Sequence, residues 1–198
     1  MLGQYRTNVR KNGQAVTLYY DTWPNVDIVP ARLVANWMQA PYYEIPNTIT
    51  GSWIATNPKA HRDAVEEKSN ECGPNLRRIM KMLKHWNLTH GNYLSGYHIE
   101  VIVLSSLSGR LDDLGLSLYR VFEKGAQCLQ SPLFYKLSLV DGYLLSSQRQ
   151  EALKQWGHAK QLASNGWYFS YSGNGQKSIQ KAIESWGLLF GEKFPKFG

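Results

Sequence analysis

From Pro74 onward, Leu76, Ile79, Met80, Leu83 and Trp86 recur every three or four residues, which stacks five large apolar side chains on one face of an α-helix. Arg77, Lys81 and Lys84 recur at the same interval on another face. A chain with such a helix must bury the first face against other elements and leave the second to solvent or to an anion. Pro74 suits the first turn, where its missing N–H goes unused. A second helix is expected over about residues 93–107, with Tyr97, Val101 and Leu104 on a stripe and apolar residues on most sides, the pattern of a helix enclosed by neighbours. Further helices are expected over residues 112–125, 146–166 and 175–190, separated by Ser131-Pro132, Asp141-Gly142 and Gly173-Asn174-Gly175. Asn57 and Pro58 open an earlier, mostly exposed helix through His61, Ala64 and Val65, with Asn57 as its cap.

The first 56 residues read differently. Residues 15–20, Ala-Val-Thr-Leu-Tyr-Tyr, follow an Asn12-Gly13 turn signal and are β-branched and aromatic, so they form a strand. Val26 to Val29 make a second strand, which Pro30 closes because it donates no ladder hydrogen bond. Between Tyr42 and Ile54, aromatic and β-branched residues punctuated by Pro41, Pro46 and Gly51 suggest short strands or a wandering edge segment. The expected architecture is α+β: a small β piece over residues 1–56 and a helical lobe over residues 57–198.

A length of 198 residues suffices for one good core or two small lobes. With 43% hydrophobic and 19% charged residues, neither disorder nor a fibrous repeat is indicated. The net charge of +7 and pI near 9.4 favour an anionic partner. Because the basic residues are spread along the chain, small phosphates are favoured over a polymeric nucleic acid. Cys72 and Cys128 stand far apart without a Cys-x-x-Cys pattern, and no stretch has the length of a signal peptide core or a membrane span; a cytoplasmic protein is expected. The histidines make no zinc spacing, the Gly173 turn lacks a P-loop's lysine, and no nucleophile triad stands out.

Asp27 sits between valine and isoleucine in an apolar strand, where an unpaired carboxylate is costly unless it lies at a sheet edge or binds a cation. Two readings stand on spacing alone: a side chain capping the turn before Pro30, or a metal ligand. Val26-Asp27-Ile28-Val29-Pro30-Ala31 resembles the segment with the third metal-binding carboxylate in DNA-polymerase-β-like nucleotidyltransferases, especially oligoadenylate synthases, cyclic GMP-AMP synthase and bacterial CD-NTases. Met82-Leu83-Lys84-His85-Trp86-Asn87 is similar to that family's Leu-Lys-Tyr-Trp-Asn helix, and Ser95-Gly96-Tyr97-His98-Ile99-Glu100 to its Lys-Ser-Tyr-His-Leu-Glu helix. Trp186 to Pro195 resembles the closing Trp-x-x-x-Phe-Gly-x-x-Phe-Pro of bacterial CD-NTases. All four occur in the family's order.

The resemblance implies a partial nucleotidyltransferase palm followed by the helical lobe. It further implies two-metal nucleotidyl transfer with magnesium or manganese, making cyclic or linear oligonucleotide signals from triphosphates of the ATP and GTP class in anti-phage defence. Asp27 would be the catalytic metal ligand, Lys84 the triphosphate contact and Tyr97 the ring that stacks on a base; the plain alternatives are a surface lysine and a core tyrosine. Gly96 stands where the family has a phosphate-contacting serine. Ser95 is one position earlier, about 100° around a helix.

The family's Gly-Ser loop and paired acids precede the third carboxylate by many tens of residues, whereas 26 residues precede Asp27 and hold no such pair. Gly51-Ser52 follows Asp27 without acids downstream, and Asp112-Asp113 reads as the acidic first turn of a helix. The chain is therefore expected to correspond to a C-terminal half, inactive alone, with a separate N-terminal half or a full-length homologue as partner. Two other readings remain: a non-catalytic nucleotide-binding or regulatory protein of the same fold, and a CCA-adding or poly(A)-type enzyme, against which the closing motif argues. Gly198 is a candidate for conjugation by E1/E2-like accessory proteins, as in some relatives, or a plain polar end.

Overall fold

The computed structural model describes residues 8–12, 14–22, 24–36, 39–47, 51–136, 138–172, 175–191 and 194–195. They divide into two compact units, Met1–Asp63 and Ala64–Gly198. The architecture is α+β, with few antiparallel strands and several helices.

In the first unit, β1 (Asn8–Asn12), β2 (Ala15–Tyr19) and β3 (Val26–Ile28) form an antiparallel sheet in sequential order. Opposed residues share a face, so the register Val9↔Leu18↔Val26 and Val16↔Ile28 collects aliphatic side chains on one side. Val9, Val16, Val26 and Ile28 are all exposed there. The other side carries Arg10, Ala15, Thr17, Tyr19 and Asp27; Ala15 and Thr17 are buried.

A second sheet consists of β4 (Arg32–Asn36), β5 (Gln39–Pro46) and β6 (Trp53–Thr56). β5 is longer and more regular than its prolines suggest. The register slips between Val34 and Asn36, opposite the stretch with Pro41, and β6 pairs only from Tyr43 onward, so no ladder bond is required of Pro41. Arg32 and Glu44 lie directly opposite and form an ion pair at 2.6 Å, with the guanidinium over the Trp53 ring. Gly51 and Ser52 close the turn before β6, where the Gly51 N–H donates to Asn47 O.

Asn57 accepts from the Ala60 N–H at 2.9 Å and caps α1 (Pro58–Cys72), as expected. In the second unit, α2 (Asn75–Thr89), α3 (Gly96–Ser106), α4 (Leu114–Cys128), α5 (Ser146–Ser172) and α6 (Gln176–Phe190) enclose one core. The stripe foreseen on α2 is buried in full: Leu76, Ile79, Met80, Leu83 and Trp86. Trp86, Phe122 and Trp156 pack edge to face with centroids 5.1–5.5 Å apart, an arrangement favoured by ring quadrupoles. α3 buries His98, Ile99, Val101, Ile102 and Val103, as a helix apolar on most sides should.

Several boundaries differ from expectation. α3 starts at Gly96, not near Tyr93, because Ser95 is extended (φ −67°, ψ 155°) and its side chain accepts the His98 N–H. Asp113 likewise caps α4 through the Leu116 N–H instead of lying in its first turn. α5 continues to Ser172. A small hairpin, β7 (Phe134–Tyr135) with β8 (Ser138–Leu139), occupies a stretch read as a helix connection; two-residue strands are too short to show alternation. No described helix is long and apolar enough to cross a membrane.

Candidate nucleotide-binding site

The site is built on the meeting of α2 and α3. Asn87, the last residue of the Leu-Lys-His-Trp-Asn stretch, is buried and hydrogen-bonded through every arm of its amide. Its Nδ2 donates to Leu94 O at 2.8 Å and Asn92 Oδ1 at 3.0 Å, and its Oδ1 accepts the Leu94 N–H at 3.1 Å. A satisfied buried amide of this kind fixes the loop that links the helices. Gly91 has φ +92°, and a Cβ there would lie 2.3 Å from the Tyr93 ring, so the loop requires glycine at this position.

This loop delivers Ser95 and the first turn of α3 to Lys84. The Lys84 ammonium donates to Glu100 Oε1 at 2.5 Å, one helical turn beyond the start of α3. Its Cε and Nζ lie 3.5 and 3.6 Å from where a Gly96 Cβ would sit. Lys84 is thus held against the amide end of α3, whose first donors the helix itself does not use. Glu100 was not singled out in the sequence as a site residue; the only signal was its inclusion in the Ser-Gly-Tyr-His-Ile-Glu stretch.

Tyr97, in the same first turn, is 40% exposed and is not a core tyrosine. Burial of its hydroxyl, with Tyr135 nearby, raises its pKa. Ser95 precedes the helix, so the expected 100° displacement along it does not apply. Its hydroxyl instead accepts the His98 N–H at 3.2 Å, and its own N–H donates to the Tyr143 hydroxyl at 2.7 Å.

Behind this turn lies a buried polar layer. His98 is fully enclosed; its Nδ1 is 3.0 Å from the Tyr143 hydroxyl and its Nε2 has no partner among the described residues. Burial pushes its pKa down to about 4, so the ring is neutral at pH 7. Burial would raise the Asp141 carboxyl, but hydrogen bonds from Arg149 Nη2 at 2.7 Å and the Leu133 N–H outweigh it and hold the pKa below its ordinary value. Arg149 also reaches the carbonyls of Leu129 and Ser131, tying α5 to the segment before β7.

Asp27 belongs to the first unit; Lys84, Ser95 and Tyr97 belong to the second. Of the two ways Asp27 could escape a burial cost, the structure shows the sheet edge: β3 is an edge strand and all of its residues are exposed. Its Oδ1 accepts the Thr17 hydroxyl, directly opposite in the register, at 2.5 Å. Among the described residues no group of three or more His, Cys, Asp or Glu could hold a metal ion. One carboxylate with an oxygen already engaged does not fit a two-ion site. Gly198 lies outside the described residues.

The helical lobe thus brings the Lys84 ammonium against the start of α3. No protein-family model matches the chain. It is 26% identical over 213 residues to a probable cyclic nucleotide synthase of Bacillus cereus (strain VD146), covering 98% of this chain and 60% of that protein. Among solved structures it is similar to Escherichia coli MS115-1 CdnC in complex with HORMA-deltaN (TM-score 0.70) and to CdnC with ATP (TM-score 0.69). Identity is 14% in both, over 94% of this chain and 65% and 66% of the CdnC chains. The chain therefore spans about three fifths of the curated relative it matches. The chain shares the fold of these CdnC structures.

Proposed function

We propose that the chain supplies the helical nucleotide-binding lobe of an enzyme that joins nucleoside triphosphates into cyclic or linear oligonucleotide second messengers, serving anti-phage defence. The observation that carries this reading is the Lys84 ammonium lodged against the first turn of α3 beside Gly96. An ammonium next to the N-terminus of a helix suits a triphosphate, because the ammonium and the positive end of the helix dipole attract the same anion. Glu100 holds the ammonium there until phosphate oxygens share it. Tyr97 offers a half-open ring for a base. The cyclic nucleotide synthase relative and the ATP-bound CdnC neighbour support nucleotide as the ligand class.

These 198 residues bind nucleotide without turning it over. Asp27 would contribute one ligand to a magnesium or manganese ion whose other carboxylates are not found among the described residues, and no reaction step follows from Asp27 alone. The exposed aliphatic face of the β1–β3 sheet supports a requirement for a further segment or partner carrying the acid pair. The lone, Thr17-bonded carboxylate equally favours a second reading: a non-catalytic nucleotide-binding protein of the same fold.

Calorimetry with ATP and magnesium tests the site, with Lys84→Ala beside the unaltered chain. Binding that Lys84→Ala weakens about tenfold is expected, as for loss of a charged phosphate contact. Pyrophosphate release from ATP and GTP should be absent. Steady turnover by the purified chain refutes the inactivity, and no ATP binding refutes the site. Synthesis restored by adding a chain with the acid pair selects the enzyme over the binding protein.

A further inference from the structure

We propose that Tyr143 is a positioning residue of the nucleotide site, its hydroxyl fixed by two donors so that its own proton is offered to a phosphate at the start of α3. The inference rests on the nucleotide-site reading above and extends it to a residue 48 positions beyond Ser95.

The argument is a count of hydrogens. A phenol has one proton to give and two lone pairs to receive with. The Ser95 N–H, at 2.7 Å, takes one lone pair. The remaining contact is with His98 Nδ1 at 3.0 Å, and it has two possible senses. If the phenol donates, the neutral ring carries its proton on Nε2, leaving a fully buried N–H without an acceptor among the described residues. Orphaned buried N–H groups are among the rarest arrangements in folded proteins. If instead Nδ1–H donates, Nε2 is left as a bare lone pair and the phenol oxygen receives two hydrogen bonds. The phenol proton is then turned away from both. Tyr143 is 46% exposed, so the residue is open to a ligand from solvent.

The two donors determine where this proton lies. Ser95 is the cap of α3, Gly96 follows it, and the Lys84 ammonium sits over Gly96. The Tyr143 ring meets the His98 ring edge to face with centroids 6.1 Å apart, which holds the hydroxyl against the cap. The first turn of α3 is thereby bounded by Lys84 on one element and by the Tyr143 phenol on another. An anion at that turn gains a neutral donor in addition to the ammonium, and the same hydroxyl keeps the cap from drifting when the ligand leaves.

The test uses the full 198-residue chain. Titration calorimetry compares ATP, inorganic tripolyphosphate and adenosine on the unaltered protein and on Tyr143→Phe, which keeps the ring and its packing on His98. Affinity for ATP and tripolyphosphate should fall about tenfold or more, the effect of losing a hydrogen bond to a charged group, while adenosine affinity stays the same. Equal affinities in the two proteins overturn the proposal. So does an equal loss for adenosine, which marks a purely structural role. If the unaltered chain binds neither ATP nor tripolyphosphate, the nucleotide-site reading fails and takes this one with it. Nitrogen NMR of the His98 ring in the unaltered protein provides an independent arm. The Nδ1–H tautomer is expected, and the Nε2–H tautomer overturns the proposal.

Discussion

Protonating His98 should destabilise the second unit, and the size of the loss follows from its burial. The ring is fully enclosed, and burial is the largest influence on it. The Asp141 carboxylate pulls its pKa up and Arg149 pushes it down, but the ring settles at about 4 instead of 6.5. In the unfolded chain the same ring protonates near its ordinary value. Between those limits the unfolded state binds the extra proton, so stability is complete above about pH 6.5 and is lost as the pH falls through about 4. Over about 2.5 pH units, at about 1.4 kcal/mol each, the full loss comes to about 3–4 kcal/mol, of which about 3 kcal/mol is reached at pH 4. That is a sizeable share of the roughly 5–15 kcal/mol that holds an ordinary domain together. Urea unfolding followed by tryptophan fluorescence suits the measurement, because Trp86 and Trp156 lie in the core of this unit. The comparison is with His98→Asn, which keeps a nitrogen donor near the Nδ1 position and does not titrate. Asp141 and Glu71, whose carboxyls are held below their ordinary values, titrate in both proteins and cancel. The stability gap between the two should narrow by about 3 kcal/mol from pH 7 to pH 4. A gap independent of pH would refute the burial argument.

Two further predictions concern glycines. A Cβ at Gly125 would lie 2.5 Å from three atoms of the Trp156 ring, which is fully buried against Trp86 and Phe122 and has nowhere to move. Gly125→Ala should therefore cost about 1–3 kcal/mol, read as a lowered urea midpoint, and an unchanged midpoint would show that the core yields. At Gly96 a Cβ would meet Lys84 at 3.5 Å, an ordinary contact. Gly96→Ser, which restores the hydroxyl implied by the family resemblance, should tighten ATP binding severalfold by calorimetry, on the order of 1 kcal/mol for one added hydrogen bond. Unchanged or weaker binding would remove this turn from the phosphate site.

The elements of the second unit were largely legible in the sequence, because each helix declares its buried face through residues three and four apart. The five-residue stripe of α2 and the Asn57 cap are local features, and the structure reproduces both. The β7–β8 hairpin was not legible, since Phe134-Tyr135 and Ser138-Leu139 are too short for a period. Ser95 was misread as helical because apolar and aromatic residues continue back to Tyr93, and nothing in that run distinguishes a cap from a first turn.

By itself, then, the sequence determined the order of the helices, the buried face of α2, the strands over residues 15–20 and 26–29, and Lys84, Ser95 and Tyr97 as candidates to meet a nucleotide. Only the tertiary structure decided what those residues touch. The Lys84–Glu100 pair spans 16 residues and the Ser95–Tyr143 contact spans 48, and no local period encodes either. Asp27 shows the same division in the first unit. Its flanking valine and isoleucine left open a sheet edge or a bound cation, and the sheet order puts β3 at an edge, where the carboxylate is exposed and bonded to Thr17. Side-chain chemistry is written along the chain, but desolvation and partnership depend on which strand or helix lies alongside, and that is set by packing the whole unit.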